Sequence, residues 1–484
     1  MFIAQGRRDG YRAGGASRSS DEVPVMGMER RVGSLNGRKG ETMTGHSNTG
    51  LTGTTKLDRI GKLAQTHPNT VFNNLGHVIT EELLHVAYEQ LEQRKAVGID
   101  KVDKATYGEA LTENINVLIK KIRRRQYRPK ASRIVEIPKE DGSTRPLAIS
   151  CFEDKIVQWA VSKILERIYE PVFLPCSYGF RPNRSCHDAL RAVNRFTYRF
   201  TDGAIVEIDI RKYFNTIPHE HLMTFLRQKI SDNRFLWLVE TLITAPVMEE
   251  GKAVGSRQGC PQGSIVSPIL ANIFLHHVID EWFNAVSKTH LKGRAELVRY
   301  ADDMVFIFET PEDAKRIFAV LNKRLNKYGL DLHEDKSSML PSGQKAACRA
   351  AKAGERIPTY KFLGFTHYWG KSRKGFWRLK RTSRRDRFTA TLKEVRAYLW
   401  ERLNVGNTDD LLRSVIRKVK GWINYHAISD NHRRVQSFIL QVSRIVLNWF
   451  NRRGGKHPIT WEKLRLRLDR VGFPKTFKTV SMFA

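Results

Sequence analysis

The sequence predicts a multi-domain protein that is α/β in its middle and mostly helical toward its C-terminal end. A chain of 484 residues is long enough for two or three domains, each with a hydrophobic core of its own. The middle third alternates short apolar runs with helical periodicity, which is typical of α/β domains. Beyond residue 366 the apolar residues recur at helical spacing, which predicts helices over 386–403, 409–425, 433–452 and 460–470.

The first part of the chain divides into a glycine-rich leader and a helical segment. Residues 1–55 hold 11 of the 34 glycines and almost no periodicity, so we expect a disordered basic leader. Residues 56–125 show helical patterns. Further on, apolar residues at i, i+4 spacing predict a helix over 153–169 with a buried stripe of Ile156, Ala160, Ile164 and Ile168.

The net charge of +33 favours a polyanionic partner, with nucleic acid ahead of a membrane surface. The excess is concentrated in residues 366–484, which contain 28 Lys+Arg against 8 Asp+Glu. Aromatic residues such as Trp422 and Tyr425 interleave with these charges, and cations combined with stacking surfaces are what an RNA-binding module needs. No apolar segment approaches the roughly 18–20 residues of a membrane span, so we expect no membrane partner.

Cysteine and histidine spacing argues against a zinc site. The five cysteines include no CxxC pair, which favours incidental thiols in a reducing cytoplasm. His219-Glu220-His221 lacks the i, i+4 spacing of a zinc-binding helix, and His276-His277 has no set of ligands nearby in the sequence.

The most informative stretch is Tyr300-Ala301-Asp302-Asp303, a short polar break between two apolar runs. This pattern predicts a β-hairpin with two adjacent carboxylates at its tip. Another strand-like run, 204–210, ends near Asp209. Aspartates from two strands, once brought together, form an all-oxygen site for Mg²⁺, and two such ions can hold both oxygens of an in-line phosphoryl displacement.

Six more motifs accompany this hairpin in a fixed order along the chain. Asp141-Gly142 is a turn signal, so basic residues before and after it lie on two facing strands that can fold over a triphosphate. The motifs before the hairpin are Arg133…Lys139…Arg145, Ser177 to Pro182, Asp209 with Phe214, and Gln262 to Pro268, and those after it are Gly329 to Lys336 and Phe362 to Phe365.

This ordered set resembles the reverse transcriptase domain of group II intron-encoded proteins, over roughly residues 56–365. The segment Gly421-Trp422-Ile423-Asn424-Tyr425 resembles the maturase (thumb) domain of the same family. The resemblance implies a right-hand polymerase. The N-terminal extension and start of the fingers would then cover 56–125, fingers and palm with antiparallel sheet 126–365, and an α-helical thumb/maturase domain 366–484.

The resemblance also implies a role for individual residues around the carboxylates. Asp209 and Asp302 would bind two Mg²⁺ ions, with Asp303 beside them and a backbone carbonyl from Ile210. Phe214 would pack against the sugar and exclude a 2′-OH, the group that distinguishes ribonucleotides from deoxyribonucleotides.

The remaining residues implied by the resemblance bind substrates. Lys139 and Arg145, with Arg133 less firmly, would neutralise the triphosphate. The other implied contacts are Gln262 under the nascent base pair, Lys336 near the incoming nucleotide, Phe362, Leu363 and Gly364 as the primer grip, and Trp422, Asn424 and Tyr425 on RNA.

The predicted function is that of an RNA-directed DNA polymerase that also binds its own intron RNA and assists splicing. Its partners would be the intron RNA template, a DNA primer or target and deoxynucleoside triphosphates, in a bacterial cytoplasm at the nucleoid. Because no cysteine follows Cys348, we expect no HNH endonuclease domain. The sequence leaves open whether the protein is an oligomer.

Two other functions compete with this one. If the protein were a splicing factor that only binds RNA, we would expect the active-site residues to be substituted. All four remain: Asp209, Asp302, Gln262 and Phe214. A non-intron bacterial reverse transcriptase acting in defence is the other alternative. Ser267-Pro268 argues against the diversity-generating type, and the basic domain around Trp422 argues against the short retron type.

Overall fold

A computed structural model describes residues 53–138, 144–249, 252–255, 257–404, 406–454 and 458–483. Most of the predicted leader and Lys139 lie outside these ranges. Within them, the helices are α1 (Gly53–Thr66), α2 (Glu81–Gln90), α3 (Lys104–Gly108), α4 (Leu111–Arg123), α5 (Phe152–Tyr169), α6 (Cys186–Arg199), α7 (Tyr213–Thr216), α8 (His219–Arg227), α9 (Asn233–Ile243), α10 (Ser267–Leu275), α11 (Glu281–Thr289), α12 (Pro311–Asn326), α13 (Gln344–Lys352), α14 (Arg385–Trp400), α15 (Thr408–His426), α16 (His432–Arg452) and α17 (Trp461–Arg470).

The strands form three sheets. They are β1 (Ser132–Pro138), β2 (Thr144–Ile149), β3 (Gly203–Ile208), β4 (Val247–Glu249), β5 (Lys252–Val254), β6 (Ala295–Tyr300), β7 (Asp303–Phe308), β8 (Ser338–Ser342), β9 (Tyr360–Phe362), β10 (Phe365–Lys371) and β11 (Trp377–Ser383). The sheet orders are β2-β1-β4-β5, β6-β7-β3-β8 and β11-β10-β9.

The sheet β6-β7-β3-β8 is antiparallel throughout and is buried on both faces. Its side chains alternate, as strand geometry requires. Val206 and Phe306 belong to the large core that also contains α5 and α10. Ile205 and Ile307 face the opposite way, into a second core beneath α6. Because both faces are covered, the strand ends are held rigidly and can position functional side chains.

The ribbon β1–β2 is antiparallel, as the sequence predicts, and pairs Ile137 with Arg145. The expectation of purely antiparallel sheet is wrong at one point, because β1 also pairs with β4 in parallel. Strand β4 has only three residues, so its sequence carries too little periodicity to indicate its partner or direction.

The C-terminal helices α14 to α17 enclose a separate core that includes Phe388, Val419, Phe438 and Trp449. The predicted helices agree with the observed ones to within one residue, except that α14 ends three residues earlier than predicted. Beyond residue 366 the chain is mostly helical, as expected, but two strands that the pattern does not indicate, β10 and β11, occupy most of 365–383. Five of the seven residues of β11 are basic or hydroxylated, which conceals the strand pattern.

None of the helices in the described part of the chain is long and apolar enough to cross a membrane.

Candidate active site

The carboxylate hairpin lies at the edge of the central sheet. Strands β6 and β7 are joined by the two-residue turn Ala301-Asp302, closed by the pair Tyr300 and Asp303. Ala301 has a φ of 58°, the left-handed conformation that such short turns use. In the neighbouring pairing Ile208 lies opposite Met304, so Asp209, the next residue, comes beside Asp303. The structure therefore brings Asp209, Asp302 and Asp303 together, as the sequence predicts.

The three carboxylates repel one another. Burial raises the pKa of Asp302, and the charge of Asp209 raises it further, while Arg145 and Arg299 lower it. Asp303 lies at the surface, but protein groups crowd its carboxylate. This desolvation, together with Asp302 and Asp209, raises its pKa to about 7. Such a cluster favours a bound cation, which would remove the repulsion.

The backbone at Ile210 is arranged to leave its carbonyl available. Residues 210 and 332 form an isolated antiparallel bridge in which His333 N donates to Asp209 O at 2.8 Å and Arg211 N donates to Asp331 O at 2.8 Å. These bonds use the peptide groups on either side of Ile210. Because successive strand peptides point in opposite directions, its own carbonyl points toward the side of the carboxylate hairpin.

Lys336 forms an ion pair with Asp209. Its Nζ lies 3.5 Å from Asp209 Oδ2, and more than half of its side chain remains exposed. Asp209 N also donates to the Ser337 hydroxyl at 3.2 Å. An exposed ammonium at this distance can move from the carboxylate to an incoming phosphate.

A buried arginine holds the turn from behind. Arg299, the residue before Tyr300, is fully buried, and its Nη1 donates to Ala301 O at 3.1 Å and to Asn272 Oδ1 at 2.9 Å. Arg299 Nε and Nη2 donate to the two carboxylate oxygens of Asp280 at 2.7 and 2.6 Å. Nη2 also donates to the Ser177 hydroxyl at 2.9 Å. Sequence analysis missed Arg299 because its partners are distant in sequence.

The partner carboxylate comes from a π-helical turn, His276–Asp280, between α10 and α11. Arg324 donates to the carbonyls of His277 and Val278 in this turn. Burial acts against the ionised form of Asp280, but the Arg299 guanidinium more than offsets it and holds the pKa of that carboxyl below its usual value. The turn thus supplies the counter-ion for Arg299.

The segment around Ser177 adds a further layer against the hairpin. Tyr178 N donates to Arg299 O at 2.8 Å, and Asn272 Nδ2 donates to Gly179 O at 2.7 Å. A Cβ on Gly179 would lie 2.5 Å from Ala301 N. Glycine is therefore required where this segment crosses the turn, which explains part of the Ser177 to Pro182 motif.

The two described arginines of the β1–β2 ribbon lie in different surroundings. Arg145 is exposed and close enough to lower the pKa of Asp302, in agreement with its predicted position. Arg133 Nη2 donates to Val97 O at 3.2 Å, so its side chain contacts the preceding loop, and its predicted role at the triphosphate stays a prediction.

The loop at Gln262 packs against the ribbon. Ala148 N donates to Gln262 O at 2.7 Å. Gly263 has a φ of 111°, and a Cβ there would lie 2.4 Å from Ala148 O. Only glycine satisfies both requirements, so Gly263 allows this loop to lie directly on β2.

Phe214 lies in α7, five residues after Asp209, and only 6% of its surface is exposed. Its ring packs against Tyr213 at 5.4 Å, and its carbonyl accepts a hydrogen bond from Cys260 N at 2.7 Å. The ring is thus rigidly placed near the first carboxylate, and its role against the sugar stays a prediction.

Leu363 and Gly364 form a two-residue hairpin turn between β9 and β10, closed by the pair Phe362 and Phe365. Leu363 and Gly364 have φ values of 46° and 75°. Positive φ is costly for leucine. The turn is held by Tyr425 Oη, which donates to Leu363 O at 3.0 Å.

The predicted RNA contacts of α15 divide between two faces of the helix. Trp422 is buried, with its ring 3.8 Å from that of Phe438, and Tyr425 is directed toward Leu363. The burial of Trp422 argues against direct RNA contact by its ring, whereas Tyr425 is half-buried and its contact with RNA stays a prediction. Asn424 is exposed. Trp422 is four residues before the buried His426 and three after the buried Val419, and this spacing could have indicated its burial.

His219 and His277 have structural roles. His219 Nε2 bonds to Gly259 O at 2.7 Å, and His277 stacks on Phe225 with ring centroids 4.7 Å apart. Across the described ranges, no three His, Cys, Asp or Glu side chains are arranged to hold one ion by themselves. Mg²⁺ is commonly bound by one or two carboxylates with waters and substrate phosphates completing its shell, so the pair Asp209 and Asp302 fits such an ion.

Comparison with known proteins agrees with this geometry. The reverse transcriptase (RNA-dependent DNA polymerase) family pattern matches residues 137–367, which include both carboxylate strands and the turn at Leu363. This part of the chain is therefore similar to reverse transcriptases. The mixed helices and sheets of this domain fit the right-hand architecture of polymerases.

The proteins to which this chain is similar include intron-encoded proteins. The group II intron-encoded protein LtrA of Lactococcus lactis is 36% identical over 46% of this chain and 37% of its own length. Protein YkfC of Escherichia coli is 34% identical over 50% of this chain and 64% of its own. A 91 kDa protein in the cob intron of Schizosaccharomyces pombe is 28% identical over 88% of this chain and 59% of its own. The chain thus spans between about a third and two thirds of these relatives.

Removing one partner of the buried pair should destabilise the carboxylate hairpin. Arg299→Met leaves Asp280 charged and unpaired, and we expect a loss of about 3–5 kcal/mol. Hydrogen exchange of the β6 and β7 amides measures this locally. The double variant Arg299→Met/Asp280→Leu removes both charges and should lose less. Equal losses in the single and double variants would contradict the pairing.

Proposed function

We propose that this protein is an RNA-directed DNA polymerase encoded by a group II intron, which copies RNA into DNA and binds intron RNA to assist splicing and mobility. The observation that carries the proposal is the meeting of Asp209, Asp302 and Asp303 at one sheet edge, with Arg145 and Lys336 beside them. Carboxylates clustered at a strand edge can bind divalent metal ions, and the exposed cations beside them can bind a nucleoside triphosphate.

Two Mg²⁺ ions, when bound, would stabilise the charge on the attacking and leaving oxygens. Asp209 and Asp302 would hold them, with the Ile210 carbonyl as a further oxygen ligand. Arg145 and Lys336 would neutralise the triphosphate, and Lys139 would join them. Arg299 would keep the turn in place, so that Asp302 does not have to reorganise during the reaction.

The C-terminal helices are proposed to act as thumb and maturase domain. The carbonyl of Leu363 in the primer-gripping turn is bonded to Tyr425 of α15, which supports a thumb placed next to the primer strand. The partners in this proposal are the intron RNA as template, a DNA primer or target, and deoxynucleoside triphosphates.

Asp302→Asn keeps the shape of the turn but removes the charge that holds the ions. Primer extension on an RNA template with Mg²⁺ should fall by about 10³-fold or more, and chelation of Mg²⁺ should abolish extension by the unaltered protein. Lys315→Gln, an exposed change on α12, serves as the control and should extend normally. Undiminished synthesis by Asp302→Asn would rule out this site.

Sugar selection provides a separate test of Phe214. Phe214→Val shortens the side chain near the sugar, so incorporation of ribonucleotides relative to deoxyribonucleotides should rise. Competition between the two nucleotide types in single-turnover extension measures the ratio. An unchanged ratio would leave Phe214 as an ordinary core residue.

A further inference from the structure

The outward face of α15 carries a stripe of exposed polar and basic residues opposite Trp422. The α15 stripe consists of Arg413, Arg417, Lys420, Gly421 and Asn424, all exposed. Spacings of four, three and four residues put Arg413, Arg417, Lys420 and Asn424 on one side of a helix, with Gly421 at its margin. From the first to the last residue the stripe runs about 16 Å along the helix.

Gly421 has no structural reason to be glycine. It lies inside α15, where glycine costs roughly 1 kcal/mol relative to alanine. A Cβ at this position would meet no described heavy atom within 4 Å. A glycine on an open helix face allows a partner's backbone to approach closely, so the position indicates a ligand that lies outside this chain.

The charge of the stripe is only partly compensated. Arg413 is paired with Asp410 at 2.7 Å. Arg417 Nη2 donates to the neutral hydroxyl of Ser414 at 2.9 Å. Across the described ranges neither Arg417 nor Lys420 forms an ion pair with an acidic side chain. Two uncompensated cations beside an open glycine fit a phosphate backbone, which is itself a repeating polyanion.

The stripe is separate from the basic groove near the carboxylates. That groove, of about 660 Å³, is lined by β9, β10 and the start of α14, including Lys361, Arg384, Arg385 and Lys393. Arg384 is close enough to lower the pKa of Asp303, so this groove adjoins the active site. No residue of the α15 stripe lines the groove.

We propose that the α15 stripe docks folded RNA at a surface distinct from the cleft that holds primer and template. The proposal rests on the proposed function in that it specifies where the C-terminal domain contacts RNA. It assigns recognition to Gly421, Arg417 and Lys420, and it leaves Trp422 and Tyr425 to support the helix from its inner face.

The test compares variants of the full chain for binding to two probes, a folded group II intron transcript and a short RNA–DNA hybrid. Gly421→Gln should raise or maintain the thermal stability, because it replaces a helix glycine. It should nevertheless weaken binding to the transcript by roughly tenfold or more, with a much smaller loss for the hybrid. A gain in stability with a loss of binding excludes unfolding as the cause.

Charge removal provides the second arm. Arg417→Gln/Lys420→Gln should reduce the salt dependence of transcript binding by about 0.7–0.9 in log–log slope for each phosphate that the variant no longer neutralises. The matched control is Lys315→Gln/Lys323→Gln on α12, which removes two exposed lysines from the palm and should leave the slope unchanged.

The outcomes separate the two proposals. Equal losses for transcript and hybrid would overturn the inference by making the stripe part of the polymerase cleft. Transcript binding by Gly421→Gln at the unaltered affinity, or the same slope in both double variants, would also overturn it. Absence of primer extension by the unaltered protein would contradict the polymerase proposal. The predicted pattern of RNA binding would still support the docking surface in that case.

Discussion

The buried pair of Arg299 and Asp280 is the interaction on which the geometry of the site depends. Both side chains are fully buried, so the Coulomb attraction must offset a large loss of hydration. Further hydrogen bonds help to compensate for the lost hydration, because the guanidinium also donates to Ser177, Asn272 and the carbonyl of Ala301. One side chain thereby joins the π-helical turn, the Ser177 segment and the tip of the hairpin. The left-handed conformation of Ala301 is maintained by this network rather than by its own preference.

A rigid support behind the turn matters because the site in front of it is electrostatically unfavourable. Desolvation and neighbouring carboxylates raise the pKa values of Asp302 and Asp303, and Asp209 adds a third negative charge. A flexible turn would relieve that repulsion by moving the carboxylates apart. Fixing the turn through Arg299 keeps the negative charge concentrated, which is the condition for strong attraction of cations. The buried positive charge of Arg299 also reaches Asp302 and lowers its pKa from within the protein.

The sequence predicted what local patterns can encode. The hairpin at Tyr300 follows from alternating apolar runs around a short break, and the position of Asp209 follows from the strand before it. Arg299 could not be found in this way, since its counter-ion depends on a π-helical turn that has no sequence periodicity of its own. The bond between Arg133 and Val97 O could not be predicted either, because the two residues are 36 positions apart in the chain. Trp422 was partly predictable, because the positions of Val419 and His426 already define the buried side of α15.

The two faces of α15 connect the C-terminal helices to the central sheet through one rigid element. On the inner face, Tyr425 donates to Leu363 O, and its own carbonyl accepts a hydrogen bond from His187 of α6. Just beyond α15, Asp430 binds the buried Arg381 of β11, which also donates to Asn194 of α6. A displacement of α15 along its axis would break these bonds and leave buried polar groups unpaired, which is costly. The outer face of α15 therefore belongs to the same helix that holds the turn at Leu363 in place.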